Sequence, residues 1–329
     1  CRCVTCVPLF GVTLSPGEAA LIHTGAMLAN EANAVVMVEN TREVDAITVE
    51  VVRPVAKGEN VIQVGEDMGR GEALLSRGSL LRPQDIGALL ALGITEVSVF
   101  QRVKVALVPT GDELVDPGDK PGPGQIRNTN AYALGGLAVR AGAVPLILGI
   151  VRDSSEALQE AARWAMKEAD MVVVSAGSSV STRDITASVI NSLGKPGVLV
   201  HGVSIRPGKP TILAVVDGKP VFGLPGNPAS AMITFELFVT PSIYRLSGRD
   251  QLPRQLEMEA KLTRNIPSAS GREDYVPVKL SGRGSEIFAE PMFGKSNLMF
   301  TLTKADGVAC IPLDRAGMSA DEVVMVRIF

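Results

Sequence analysis

The chemistry available to this sequence is concentrated in a few short loops. Thr110-Gly111-Asp112-Glu113-Leu114 is followed closely by Gly124-Gln125-Ile126-Arg127-Asn128-Thr129-Asn130, and Asp153 stands at the end of a strand-like run. Ser175-Ala176-Gly177-Ser178-Ser179 leads on to Asp184. The last pair is Arg206-Pro207-Gly208-Lys209-Pro210 and Gly223-Leu224-Pro225-Gly226-Asn227-Pro228. Glycine lets backbone N–H groups come close to an anion, and a helix N-terminus presents such groups with a favourable dipole. The loop carrying Ser175, Gly177 and Ser179 suits such a cradle, as does the one carrying Pro225, Gly226, Asn227 and Pro228. Arg206 and Lys209 add fixed positive charge for phosphate or another oxyanion. Asp112, Glu113, Asp153 and Asp184 gather carboxylates suited to a hydrated Mg²⁺ that bridges phosphate oxygens. Cradle and carboxylates together point to phosphate-ester or phosphoanhydride chemistry. Taken singly, each has a plainer reading. Asp153 fits the N-cap of a capping box with Glu156, Asp184 fits a cap equally well, and Gly223–Pro228 fits a rigid turn.

The elements that must position these loops follow from periodicity. Val103–Val108, Val144–Ile150, Met171–Val174, Val198–Val200, Thr211–Val215 and Pro220–Phe222 read as strands. Helical spacing predicts Asn130–Arg140, a helix from Asp153 to about Lys167, Asp184–Leu193 and a long helix over Pro228–Leu246. Strand–helix alternation implies a mostly parallel sheet covered on both faces, with ligands beyond the carboxyl ends of its strands. Residues 1–70 read as a β-rich domain, with runs at Ala19–Ile22, Ala34–Glu39, Ala46–Val52 and Asn60–Val64. Residues 71–101, with a helix opening at Leu81-Arg82-Pro83, form a small remnant domain. Residues 102–249 form the α/β domain and 250–329 a small β-barrel.

Composition limits the alternatives. The 329 residues carry 32 basic and 35 acidic side chains, a formal charge of −3, which argues against broad nucleic-acid binding. No apolar run reaches membrane-spanning length. Only two histidines occur, His23 and His201, so the catalytic burden falls on carboxylates, Lys, Arg and backbone N–H groups. Cys1, Cys3 and Cys6 lack a fourth metal ligand and read as an incidental terminal cluster, and a reducing cytoplasm is the simplest compartment.

At these residues the chain resembles the molybdopterin molybdotransferase family of molybdenum-cofactor biosynthesis, which includes the catalytic domain of gephyrin. TGDEL at 110–114, GQIRNTN at 124–130, RPGKP at 206–210 and GLPGNP at 223–228 carry the likeness. Ile22-His23-Thr24-Gly25-Ala26, Ala34–Glu39, Gly65-Glu66-Asp67 and Ala305-Asp306-Gly307 extend it over most of the chain.

The resemblance implies a β-rich domain, a small domain beside it, a molybdopterin-binding α/β domain and a C-terminal barrel. It implies insertion of molybdate into adenylylated molybdopterin, with Mg²⁺ assisting and AMP released. It also implies a homodimer, with a molybdopterin adenylyltransferase as upstream partner. Residue by residue, Glu113, Asp153 and Asp184 correspond to the family's acidic active-site positions, expected to be catalytic and to hold the metal, and Lys209 to a positively charged position of the PGKP loop, expected to be catalytic. Thr24, Asp67, Arg206 and Ser296 correspond to family positions, and together with Thr110, Gly111, Asp112, Ser175, Gly177, Ser179, Pro225, Gly226, Asn227 and Pro228 they are expected to bind substrate. The chain departs from the pattern at Ala176 and Ser181, which replace glycines, and at Asn128, where Asp is frequent. Gly202 and Pro277 stand where some members have Lys and Arg. The family's N-terminal Asp-Gly segment is expected to precede Cys1. The competing expectations are a pterin-binding scaffold or sensor without turnover, and a molybdopterin adenylyltransferase.

Overall fold

A six-stranded sheet organises the larger part of the chain. In space its order is β10 (Pro196–His201), β12 (Ile212–Val216), β13 (Lys219–Pro225), β9 (Met171–Ala176), β5 (Lys104–Pro109) and β8 (Val144–Ile147). The computed structural model describes residues 2–4, 12–176, 180–249, 251–253, 255–284, 286–295, 297 and 299–329. β13, β9, β5 and β8 pair in parallel, whereas β10, β12 and β13 pair antiparallel. Every residue of β9 is buried, as expected of a central strand covered on both faces. One face packs Leu134, Leu137, Phe222, Phe235 and Ile243 against Val105 and Met171. The other packs Leu158, Ala162 and Ile190 against Val172 and Val174.

The helices carry their own stop signals. α2 (Asn130–Arg140) is followed by Gly142 at φ 87°, which turns the chain back into β8. α3 (Ser155–Glu168) is capped by Ser154, whose Oγ accepts from the Ala157 amide at 3.2 Å. The sequence assigned that cap to Asp153. The structure gives it to the next residue, which leaves the Asp153 carboxyl for other work. At the far end of α3, Lys219 Nζ donates to the carbonyls of Met166 and Ala169. α4 is Val180–Leu193, so Asp184 lies inside the helix and does not cap it.

The long C-terminal helix is also not uniform. α5 (Pro228–Thr234) and α6 (Thr240–Leu246) are joined by a π-helical turn at Phe235–Val239, where the Thr240 amide donates to the Phe235 carbonyl. Pro241 supplies the reason: it has no N–H for the carbonyl one turn back, and its ring crowds that turn.

The C-terminal region closes into a barrel. β14 (Glu257–Leu262), β16 (Glu273–Arg283), β17 (Glu286–Pro291), β18 (Gly307–Ile311) and β20 (Val323–Ile328) follow the order β16-β17-β14-β20-β18, and β18 pairs back with β16. The two-residue strand β11 (Ile205–Arg206), from the α/β region, adds in parallel to β16. Short ladders pair β6 (Leu114–Val115) with β7 (Ile126–Arg127) and β15 (Ile266–Pro267) with β19 (Gly317–Met318). A last short helix, α7, is Met299–Lys304.

The chain divides into two compact units, Cys1–Ser76 and Arg77–Phe329. The first holds a four-stranded sheet in the order β2 (Glu18–Ala20), β1 (Arg2–Val4), β4 (Thr48–Val51), β3 (Thr41–Asp45). Ala34–Glu39 and Asn60–Val64, expected as strands, are not. They are tied by the Val35 amide to the Glu59 carbonyl and the Asn60 side chain to the Val35 carbonyl, with no ladder beside them. Among the described residues of this unit only Ala29 is a buried hydrophobic. α1 (Pro83–Ala91), in the second unit, is opened by Arg82 and Asp85, which pair at 2.9 Å and hold the Asp85 carboxyl down to about 2. No helix among the described residues is long and apolar enough to cross a membrane.

Candidate functional site

The carboxyl ends of β13, β9, β5 and β8 meet along one edge, and the candidate residues collect there. The Thr110 amide donates to the Ser175 carbonyl at 2.9 Å, and the Gly111 amide to the Val151 carbonyl at 3.1 Å. Gly111 has φ 153°, and a Cβ built on it would stand 2.7 Å from Glu113 Oε2. The Glu113 carboxylate therefore folds back over a glycine that leaves room for it. The β6–β7 ladder then returns the chain: the Ile126 amide donates to the Glu113 carbonyl at 2.8 Å and the Asn128 amide to the Val115 carbonyl at 2.9 Å. This delivers Asn130 to the first turn of α2, where its Nδ2 donates to the Gly226 carbonyl at 2.7 Å.

Asp153 meets this group from the end of β8. Its amide donates to Asp112 Oδ1 at 3.3 Å. Its own Oδ1 is buried without a hydrogen bond, as is the nearby Thr110 hydroxyl. Burial pushes the Asp153 carboxyl up, and the charges of Glu113 and then Asp112 push it further. The Thr110 hydroxyl is close enough to oppose the shift but makes no regular hydrogen bond. A crowded carboxylate with an unpaired buried oxygen is what a cation would relieve.

Asp184 does not join this group. It is exposed and lies inside α4, which begins at Val180. Among the described residues no three His, Cys, Asp or Glu side chains are placed to share one ion. A three-carboxylate cage from Glu113, Asp153 and Asp184, expected from the sequence, is not formed among the described residues; the carboxylates that act on one another here are Asp153, Glu113 and Asp112.

The cationic half lies beside the end of β13. A cavity of about 650 Å³ is lined by Arg206, Lys209, Pro225 and Asn227 from the α/β region, and by Arg272 and Lys295 from the barrel. Gly208, at φ 115°, sits where a Cβ would reach 2.4 Å from Thr234 Cγ2, so the Arg206–Lys209 loop packs directly on α5. Its carbonyl accepts from the Thr211 amide and hydroxyl. Strand register puts Pro225 opposite Ala176, while Thr110 bonds Ser175. Two strand spacings of about 4.8 Å thus separate the ends of β13 and β5.

Arg272, Asp274 and Lys295 are not singled out by the sequence, and Asn130 enters it only as part of the 124–130 loop. The turn Gly271-Arg272-Glu273-Asp274 ahead of an alternating strand was the available signal. Thr24 and Asp67 are exposed turn residues of the first unit. Gly177, Ser179 and Ser296, like Cys1 and Cys6, lie outside the described residues.

Three family descriptions cover this chain. "MoeA N-terminal region (domain I and II)" matches residues 9–93, "Probable molybdopterin binding domain" 106–245, and "MoeA C-terminal region (domain IV)" 259–329. A molybdopterin molybdenumtransferase of Bacillus subtilis is 32% identical over 95% of this chain and 73% of its own length. The chain belongs to the MoeA family. The Haemophilus influenzae molybdopterin molybdenumtransferase is 31% identical over 95% of this chain and 78% of its own. A solved MoeA protein of Pyrococcus horikoshii superposes with a TM-score of 0.77 at 37% identity, covering 96% of this chain and 77% of that one. The MoeA α/β region and barrel are therefore the parts that frame the cavity and the carboxylate group.

Proposed function

We propose that this protein is a molybdopterin molybdotransferase, inserting molybdate into adenylylated molybdopterin and releasing AMP. The observation that carries the reading is the pairing, on one sheet edge, of a cation-lined cavity with a crowded carboxylate group. The reaction needs both: cations for a tetrahedral oxyanion and for phosphate, and carboxylates for the ion and water at the phosphoanhydride.

On this reading Arg206 and Lys209 hold molybdate or phosphate oxygens from the α/β side, and Arg272 and Lys295 from the barrel side. Asp153 and Glu113 would hold Mg²⁺, which when bound supplies charge neutralisation on the phosphate oxygens. The buried Asp153 oxygen that lacks a hydrogen bond would orient the attacking water. Gly111 leaves the space that the Glu113 carboxylate occupies. Two copies of the chain pairing through the first unit also belongs to this reading, supported by its exposed Val38, Ile62 and Val64. So does supply of the substrate by an upstream adenylyltransferase, since an adenylylated pterin must be made by adenylyl transfer.

The test is AMP release by the protein with adenylylated molybdopterin, molybdate and Mg²⁺. Release that depends on molybdate supports the proposal. ATP consumption with unadenylylated pterin would instead make it an adenylyltransferase. Tight pterin binding with no release under any condition would make it a binding module.

A further inference from the structure

We propose that Asp274 is a positioning residue for the oxyanion cavity, holding Arg206 and Arg272 as a guanidinium pair across the junction of sheet and barrel. The proposal rests on reading this cavity as an oxyanion site. Asp274 is 2% exposed, a burial that a carboxylate tolerates only when paired. Arg272 pairs with it in a two-pronged arrangement, Nε to Oδ1 at 2.8 Å and a terminal nitrogen to Oδ2 at 3.3 Å. Arg206 approaches the same Oδ2 at 3.6 Å.

The backbone fixes this triad. β11 pairs in parallel with β16, and Arg206 is the register partner of Asp274. One residue earlier, the Glu273 amide donates to the Ser204 carbonyl at 3.0 Å. Asp274 thus links a loop of the α/β region to the first residues of the barrel at the place where both line the cavity.

The charge balance shows what the arrangement is for. Four cations (Arg206, Lys209, Arg272 and Lys295) and one carboxylate, Asp274, line the cavity, which leaves three positive charges. A guanidinium has five N–H donors, and Asp274 takes two from Arg272, so three remain for an incoming oxyanion. Two arginines already held in place lose less freedom on binding than two free ones.

The inference has a sign that separates it from simple electrostatics. Were Asp274 only a negative charge beside an anion site, replacing it with Asn would tighten oxyanion binding. A positioning role requires the opposite. The experiment is calorimetric titration of the full chain with inorganic molybdate. Asp274→Asn is expected to weaken binding by about tenfold, and Asp274→Glu to recover part of the loss. Wild-type or tighter affinity in Asp274→Asn overturns the proposal. If that variant does not fold, Arg272→Lys keeps the charge but loses the fork; weakened binding there supports the proposal and unchanged binding overturns it. AMP release separates the two readings. Wild-type turnover with an Asn variant of unchanged molybdate affinity defeats only this inference. Asp274-dependent molybdate binding without any AMP release defeats only the proposed function.

Discussion

The amide of Asp153 donates to Oδ1 of Asp112 at 3.3 Å, joining the loops that follow two adjacent parallel strands. The contact orients the loop after β8 and also brings a second negative charge beside the Asp153 carboxyl. Burial, then the charges of Glu113 and Asp112, raise the Asp153 carboxyl above its ordinary value. The backbone therefore assembles a group of charges that repel one another, an arrangement that costs stability and is common where charge has a use.

Asp153→Asn should stabilise the protein at neutral pH while removing activity. The native carboxyl has a pKa above the unfolded value of 3.8, so between the two the native state binds the extra proton. Stability from this group falls as pH rises through that window, stays level above it, and recovers as pH drops back through it. The amide removes both the burial cost and the repulsion. The Tm of the variant should rise at pH 7, with AMP release falling at least about a hundredfold. Thermal melts at pH 7 and below pH 3.8 check it, since the gain should vanish at the lower pH. Mg²⁺ should raise the wild-type Tm and leave that of the variant unchanged.

Ser154→Ala should do the reverse: lower stability and spare chemistry. The Ser154 hydroxyl caps α3, and losing such a cap costs about 1 kcal/mol. A drop in Tm with kcat within about twofold confirms the division of labour between the two neighbours. A loss of activity larger than the loss of stability would contradict it.

Much of the α/β region was legible because its signals are local. Asn130–Arg140 with its closing Gly142 was read to the residue, and the buried runs at Val103–Val108 and Met171–Val174 could scarcely be anything but central strands. Asp153-Ser154 defeated the reading because both residues cap helices well, and only the three-dimensional turn decides between them. Asp184 was misplaced because Val180–Arg183 carry no sequence mark of a helix start. The weak alternation in Ala34–Glu39 looked like a strand, but a strand needs a partner, and pairing is not written in one segment. Arg272 and Asp274 were passed over for the same reason. Their meaning comes from β11 lying against β16, a contact between positions about 70 apart in the chain.

Gly111→Ala should damage the site more than the fold. A methyl group here would sit 2.7 Å from the Glu113 carboxylate, on a backbone at φ 153° that side chains rarely adopt. Glu113 must swing away. The expected loss in AMP release is about 10- to 100-fold, with destabilisation of about 1–3 kcal/mol. Pairing Gly111→Ala with Glu113→Gln tests the cause: once Glu113 is neutralised, the glycine change should cost little more activity.

Gly208→Ala should dislodge the Arg206–Lys209 loop. The added Cβ would lie 2.4 Å from Thr234 Cγ2, and Thr234 is fully buried with its hydroxyl bonded to the Ser230 carbonyl. Neither partner yields easily, so the loop must move at a cost of about 1–3 kcal/mol. Molybdate binding should weaken more than pterin binding, because the displaced residues are the cations. Equal loss of both ligands would show general unfolding instead.

Asn130→Ala tests whether the two halves of the site are mechanically joined. The Asn130 side chain donates to the Gly226 carbonyl from the first turn of α2, and the Asn130 backbone follows directly from the ladder that returns from Glu113. The bond thus connects the carboxylate loop to the loop that lines the cavity. Its removal leaves a half-buried carbonyl without its donor, at a cost of about 1 kcal/mol. That modest loss should come with a larger fall in kcat than in molybdate affinity, since the cations stay in place while the loops lose their mutual registration. Asn130→Gln, one methylene longer, should restore stability better than rate. If the Ala variant turns over like the wild type, the carboxylates and the cavity work without this connection, and positioning must come from the strand edge alone.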